Sequence, residues 1–237
     1  MTTVWGPVLL QLAHSYEDRN LDDIDAAGVE LYWDIVFAAA HKHSTPSFHE
    51  RGDEILEDRT QCLDATLAAG WHAGEEIGSP QTVYTSSQTL SPVRVTNARG
   101  IGDSGKPDGV LWTSSRLPDG ASAWEQSELS EFPELRRNYA LFAFDLASDE
   151  EVFQISSVRD FERLVVEYPR VIEPGRVGVD WGGLSGRYVA VNLTSAGLAR
   201  VQNFRIVTDR GVAELSDWDA ECTAWLRLLK YCGLVAL

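Results

Sequence analysis

Apolar and polar positions follow two different periods along this chain, and the changeover falls near residue 80. Before it, the run "LDDIDAAGVELYWDIVFAAAHKH" (21–43) is rich in Ala, Leu and Glu, all compatible with helix. Its acidic residues come early and its His and Lys late, which complements the helix macrodipole at both ends. A second run, "HERGDEILEDRTQCLDATLAAGWH" (49–72), sets Ile55, Cys62, Leu63 and Leu67 on one stripe, with Gly70 as a stop signal. Residues 1–80 therefore read as a region of two or three helices. Beyond it come short β-rich runs punctuated by Gly, Pro and Asp: "TVYTSS", "PVRVTNA", "GVLWTSS", "YALFAFDL", "EVFQI", "YVAVNLT" and "NFRIVT". One helix intervenes, "SVRDFERLVVEYP", with Phe161, Leu164, Val165 and Tyr168 on a face and Pro169 at its end. Many strands with few crossover helices predict an α+β fold, in which residues 81–237 form a β-rich domain built on a mixed sheet.

The last long segment, "ELSDWDAECTAWLRLLKY" (214–231), fits both periods. As a helix, it places Trp218, Cys222, Trp225, Leu226 and Leu229 on one stripe, with Ser216 or Asp217 as N-cap. As a strand, it turns Cys222, Ala224, Leu226 and Leu228 to one side and Glu221, Thr223, Trp225 and Arg227 to the other. Its local pattern leaves both open.

Composition narrows the partners. The 237 residues can bury a full core, and 36 acidic against 20 basic residues give a formal charge of −16. That balance argues against a nucleic-acid backbone as partner, because counterion release needs Lys and Arg. Residues 1–80 hold 15 acidic and 4 basic residues, a local charge of −11, together with all five histidines. Such a region suits a regulatory or acceptor protein of complementary charge. The opening "MTTVWGPVLLQLAHSYED" has no basic leader, and its apolar run is too short to span a bilayer. With three cysteines, an odd number, the expectation is a reducing, cytoplasmic location and no membrane.

Two motif-like strings have simpler explanations. "GIGDSG" (Gly100, Gly102, Gly105) matches GxGxxG, but "KPDGVLW" returns at once to strand chemistry where a dinucleotide site needs a long helix. "HKHSTPSFHERGD" offers His41, His43, His49, Glu50 and Asp53 in a spacing that fits no metal signature; we read a helix end, a loop and a new N-cap, and expect no metal. There is no nucleophile elbow, and no histidine lies in the β-rich region. Asp and Glu, with Arg and Trp beside them, are the remaining candidates for chemistry.

Three stretches then stand in order: "PVRVTNA" with Arg94, "DGVLWTSSRLPDGASAW" with Trp112, Thr113, Ser114 and Trp124, and "WDAECTAW" with Asp219 and Glu221. Together they resemble the ADP-ribosyltransferase superfamily over roughly the last two-thirds of the chain. In that pattern a first strand carries a cofactor-holding Arg or His, a later strand a hydroxyl triplet, and a late strand the working Glu, often as Glu-x-Glu. Here the triplet reads "TSS" rather than "STS", Asp219 stands at the usual Glu or Gln, and Thr85–Ser87 and Ile155–Ser157 are rival hydroxyl clusters. The resemblance implies an ADP-ribosyltransferase-like sheet and NAD as substrate, with ADP-ribose passing to a protein, a small molecule or water. It implies that Arg94 and Thr96 hold the cofactor, that Trp112 or Trp124 stacks on nicotinamide, and that Thr113 and Ser114 fix the rotamer of Glu221. Glu221 would be the catalytic carboxylate, with Asp219 on the same side of an extended segment, so the resemblance favours the strand for 214–231.

Two readings from other classes compete. One is a non-catalytic acidic binding or inhibitor protein whose helical third meets a basic target. The other is a carbohydrate-active hydrolase, since eight Trp and many carboxylates suit sugar stacking and paired-carboxylate chemistry.

Overall fold

Pro7 opens the first helix, α1 (Pro7–Ser15), at the position where its missing N–H costs nothing. The computed structural model describes residues 5–20, 28–40, 54–68, 70–73, 80–97, 105–117, 119–122, 140–144, 151–228 and 233–237. Helices α2 (Gly28–Ala40), α3 (Glu54–Thr66) and α4 (Gly70–Ala73) follow; α2 and α3 fall in the two predicted runs, whereas α4 starts at Gly70, the expected stop, and makes four described helices where two or three are expected. Leu63 and Leu67 of the predicted stripe are fully buried. Gly70 takes φ of 62°, the left-handed region that glycine adopts without steric cost, where the chain passes from α3 to α4.

Thirteen strands are described. They are β1 (Gln81–Thr85), β2 (Thr96–Asn97), β3 (Pro107–Asp108), β4 (Leu111–Ser115), β5 (Ala140–Phe144), β6 (Val152–Ile155), β7 (Pro169–Glu173), β8 (Arg176–Val179), β9 (Ala190–Leu193), β10 (Arg205–Thr208), β11 (Gly211–Glu214), β12 (Cys222–Trp225) and β13 (Val235–Ala236). Seven form one sheet in the order β13-β5-β1-β4-β12-β9-β6, antiparallel except where β6 meets β9. A second sheet runs β10-β11-β8-β7, and β2 pairs only with β3. Mixed sheets behind N-terminal helices are the α+β architecture expected. Within the final segment Cys222–Trp225 form a strand: β12 lies between β4 and β9, so its polar side chains are met from both neighbours, which a helix would not allow.

Three further helices position the sheets. The predicted helix is α5 (Val158–Glu167), which buries Phe161, Leu164 and Val165. Its start is fixed by Ser157 and Asp160: the Ser157 hydroxyl accepts from the Asp160 N–H at 3.3 Å and donates to the Asp160 carboxylate at 2.8 Å. α6 (Trp181–Leu184) and α7 (Ser195–Val201) are N-capped by Asp180 and Thr194. Leu9 and Leu12 of α1, Leu31 and Ile35 of α2, and Phe153, Ile155, Val191 and Leu193 of the large sheet belong to one hydrophobic core. Among the described residues no helix is long and apolar enough to cross a membrane.

Candidate functional site

Strand alternation sorts the large sheet into two faces. Register pairs Gln81 with Ser115, Thr113 with Thr223, and Thr223 with Asn192, so these side chains share a face with Glu221, which precedes β12. The same face carries Val83, Phe142, Phe144, Ala190 and Trp225, a small apolar cluster separate from the main core. Trp112, Ser114, Cys222 and Ala224 point the other way, Trp112 and Cys222 packing on the main core.

On the first face a polar network surrounds Glu221. The Ser115 backbone N–H donates to Glu221 Oε2 at 3.0 Å, and the Ser115 hydroxyl donates to Oε1 at 2.9 Å. Asn192 Nδ2 adds a third bond to Oε1 at 3.0 Å and also reaches the Thr223 hydroxyl at 3.0 Å. Behind them Gln81 Nε2 donates to the Ser115 hydroxyl at 3.2 Å, Thr113 donates to Gln81 Oε1 at 2.6 Å, and Trp225 Nε1 donates to Thr113 at 2.9 Å. Three donors converging on two oxygens suit an anionic carboxylate. Glu221 is only 3% exposed, and its carboxyl is pushed above the ordinary carboxylate range. Burial is the main cause, and the bonds from Ser115 and Asn192 offset it only in part.

The residues expected from sequence divide along these lines. Thr113 lies on the Glu221 face but spends its hydroxyl on Gln81, while Ser114 lies on the opposite face against Thr82 at 3.1 Å. The expected roles of Thr113 and Ser114 as the groups that fix Glu221 are thus corrected: Ser115 does this, because side chains two apart share a face. Trp112 stacks edge-on against Trp218 at 5.0 Å with Lys106 5.6 Å from its ring centroid, on the sheet face opposite the one that carries Glu221. Asp219 is likewise not brought to Glu221. The chain is irregular from Ser216 to Glu221, with Asp217 at φ 64°, and Asp219 is exposed and pairs with Lys106 at 3.6 Å.

Arg94 and Thr96 are exposed, the former just before β2 and the latter within it, on the two-stranded sheet rather than the one bearing Glu221. The Arg94 N–H donates to the Gly109 carbonyl at 2.9 Å, which ties this segment to the turn before β4. Trp124, the His41–Asp53 string, Gly100 and Gly102 lie outside the described residues.

Sequence reasoning passed over Ser115, Asn192, Gln81 and Tyr32. Tyr32, on α2, is fully buried with Leu117, and Trp33, Trp71, Ala121 and Ala220 pack around them. The Tyr32 phenol is held well above its ordinary pKa, first by burial and then by the charge of Glu221, so it stays neutral at any working pH. Comparison with known proteins finds no match to this chain among family models, curated proteins or solved structures.

Proposed function

We propose that this protein is an NAD-consuming enzyme of the ADP-ribosyltransferase type, with Glu221 as its catalytic carboxylate. The observation that carries the reading is the clamp on Glu221: a carboxylate immediately before β12, held in one rotamer by Ser115 of β4 on one side and by Asn192 of β9 on the other. The order of hydroxyl strand and glutamate strand agrees with the sequence resemblance. In the reaction the glycosidic C–N bond breaks and its electron pair leaves with nicotinamide as a neutral base. The ribose carbon becomes oxocarbenium-like, and the fixed negative charge of Glu221 stabilises it. Water or an acceptor nucleophile then adds to that carbon and loses a proton. Ser115 and Asn192 are positioning residues: they hold the charge where the cation develops, so that little reorganisation is needed at the moment of reaction.

The test separates binding from chemistry. Glu221→Gln should bind NAD, read as a thermal shift that rises with ligand concentration, yet release no nicotinamide. Absence of both binding and release in the wild-type chain would move weight to the non-catalytic reading. That reading has one observation in its favour, the near-complete closure of Glu221 to solvent.

A further inference from the structure

The closure itself has a definite structure. Helix α2 is buried on two sides: Leu31, Ile35, Ala38 and Ala39 face the main core, Val29, Tyr32 and Trp33 face a second, small cluster, and Val36 packs against both. The spacing i, i+3, i+4, i+7 of Val29, Tyr32, Trp33 and Val36 places them on one helix face. What that face meets is the ground around Glu221. Leu117 stands two residues after Ser115, Ala121 lies in the turn closed by the Leu117 N–H to Ala121 carbonyl bond at 2.8 Å, and Ala220 immediately precedes Glu221. Trp71 of α4 closes one side, its ring perpendicular to Tyr32 at a centroid distance of 5.1 Å.

This contact is poorly optimised for permanence. Tyr32 and Leu117 are the two buried members of the cluster, whereas the main core runs through both helices and sheet. The Tyr32 hydroxyl is fully buried and has no hydrogen-bond partner among the described residues. A buried hydroxyl without a partner penalises the closed arrangement, and water would satisfy it in an open one. Neither of the two cavities described for the molecule is lined by Glu221: the larger, about 580 Å³, lies against the second sheet, and the smaller, about 370 Å³, adjoins Thr96 and Asn97.

We infer that the Tyr32 face of α2 is an autoinhibitory cover on the Glu221 site, and that NAD enters only when this face lifts from Leu117, Ala121 and Ala220. The inference rests on the NAD reading for the identity of the ligand, but the cover itself is a property of the packing. Two substitutions at one residue give opposite signs, which general damage to the fold does not. Tyr32→Ala removes the plug. It should raise nicotinamide release about tenfold or more, lower Tm, and speed amide hydrogen exchange at Ser115, whose N–H is held by Glu221. Tyr32→Phe removes only the unsatisfied hydroxyl. It should raise Tm by about 2–5 °C and slow release about fivefold, because the closed state gains relative to the open one.

The outcomes also separate the two ideas. Opposite shifts in release for the two variants support the cover. Faster exchange at Ser115 in Tyr32→Ala, with no nicotinamide released by any variant, keeps the cover and overturns the NAD reading. Release that is unchanged or lower in Tyr32→Ala, or that moves in the same direction in both variants, overturns the cover while the NAD reading stands. Unchanged exchange without release overturns both.

Discussion

Replacing Ser115 by Ala tests the clamp on Glu221 through stability alone, without any substrate. The change deletes one hydroxyl donor to Glu221 Oε1 at 2.9 Å and leaves the backbone donor to Oε2 and the Asn192 donor in place. A hydrogen bond to a charged acceptor contributes about 1.5–3 kcal/mol, and one between neutral groups about 0.5–1.5 kcal/mol. The folded-state pKa of Glu221 lies above its unfolded value, so the native carboxyl holds its proton more tightly than the unfolded chain does. The stability this group contributes is complete below the unfolded pKa and declines as pH rises through the folded one. Removing a donor that favours the anion raises the folded pKa further and carries that decline to higher pH. The cost of Ser115→Ala should therefore be about 0.5–1.5 kcal/mol where Glu221 is protonated and about 1.5–3 kcal/mol where it is ionised. Urea denaturation of both proteins at several pH values, from the ordinary carboxylate range upward over the range in which the chain stays folded, measures the difference directly. Ser114→Ala is the control: its hydroxyl meets Thr82 on the other face, so its cost should not change across that range. A flat profile for Ser115→Ala, or a slope that appears for Ser114→Ala instead, would refute the assignment of the clamp.

Two other substitutions probe the surroundings. Asn192→Asp keeps shape but places a second carboxylate where the amide met Glu221 at 3.0 Å; it should cost about 3–5 kcal/mol at neutral pH and much less in acid, read from urea midpoints at the two pH values. A pH-independent cost would contradict the proximity of the two groups. Gly197→Ala tests the packing of α7 on β6: a Cβ there would stand 1.9 Å from the Ile155 carbonyl oxygen, so the helix must shift, at a cost of about 1–3 kcal/mol or more. An unchanged denaturation midpoint would rule that packing out.

Much of the fold is legible in the chain because long periodic runs carry their own signal. The helix at Val158–Glu167 is written in Ser157, Asp160 and the apolar stripe that follows. Strands β1, β4, β5, β6 and β9 of the large sheet are legible because β-branched and aromatic residues cluster between turn residues, whereas β12 reads equally as helix and β13 is too short to read. The β7–β8 hairpin was not, since "PRVIEPGRVGV" mixes Pro and Gly into runs of four or five residues that read equally well as loop. "PVRVTNA" shows the converse: its alternation reads as a full strand, but among the described residues only Thr96 and Asn97 pair as strand, with Arg94 held by a single bond to Gly109.

Candidate site residues were legible in type but not in address. Glu221 was singled out by the resemblance and not by its local pattern, yet alternation alone already sets Trp112 and Thr113 on opposite faces and points to Ser115 once Thr113 is set opposite Thr223. Asn192 and Gln81 carry no sequence signal: Asn192 is a single polar residue in an apolar run, Gln81 follows Pro80 at a strand start, and the partners of both are supplied by tertiary pairing. Asp219 misled through spacing: two residues share a face only in an extended chain, and the left-handed turn at Asp217 begins an irregular stretch. Tyr32 reads as helix core from sequence, and only the docking of α2 brings it to Glu221.

The most direct measurement is the initial rate of nicotinamide release from NAD by the wild-type chain, Glu221→Gln and Asp219→Asn side by side. With Glu221 as the working carboxylate and Asp219 an exposed partner of Lys106, Glu221→Gln should lose about a hundredfold or more while Asp219→Asn stays within about twofold. Release that survives in Glu221→Gln, or that is lost only in Asp219→Asn, would contradict the assignment.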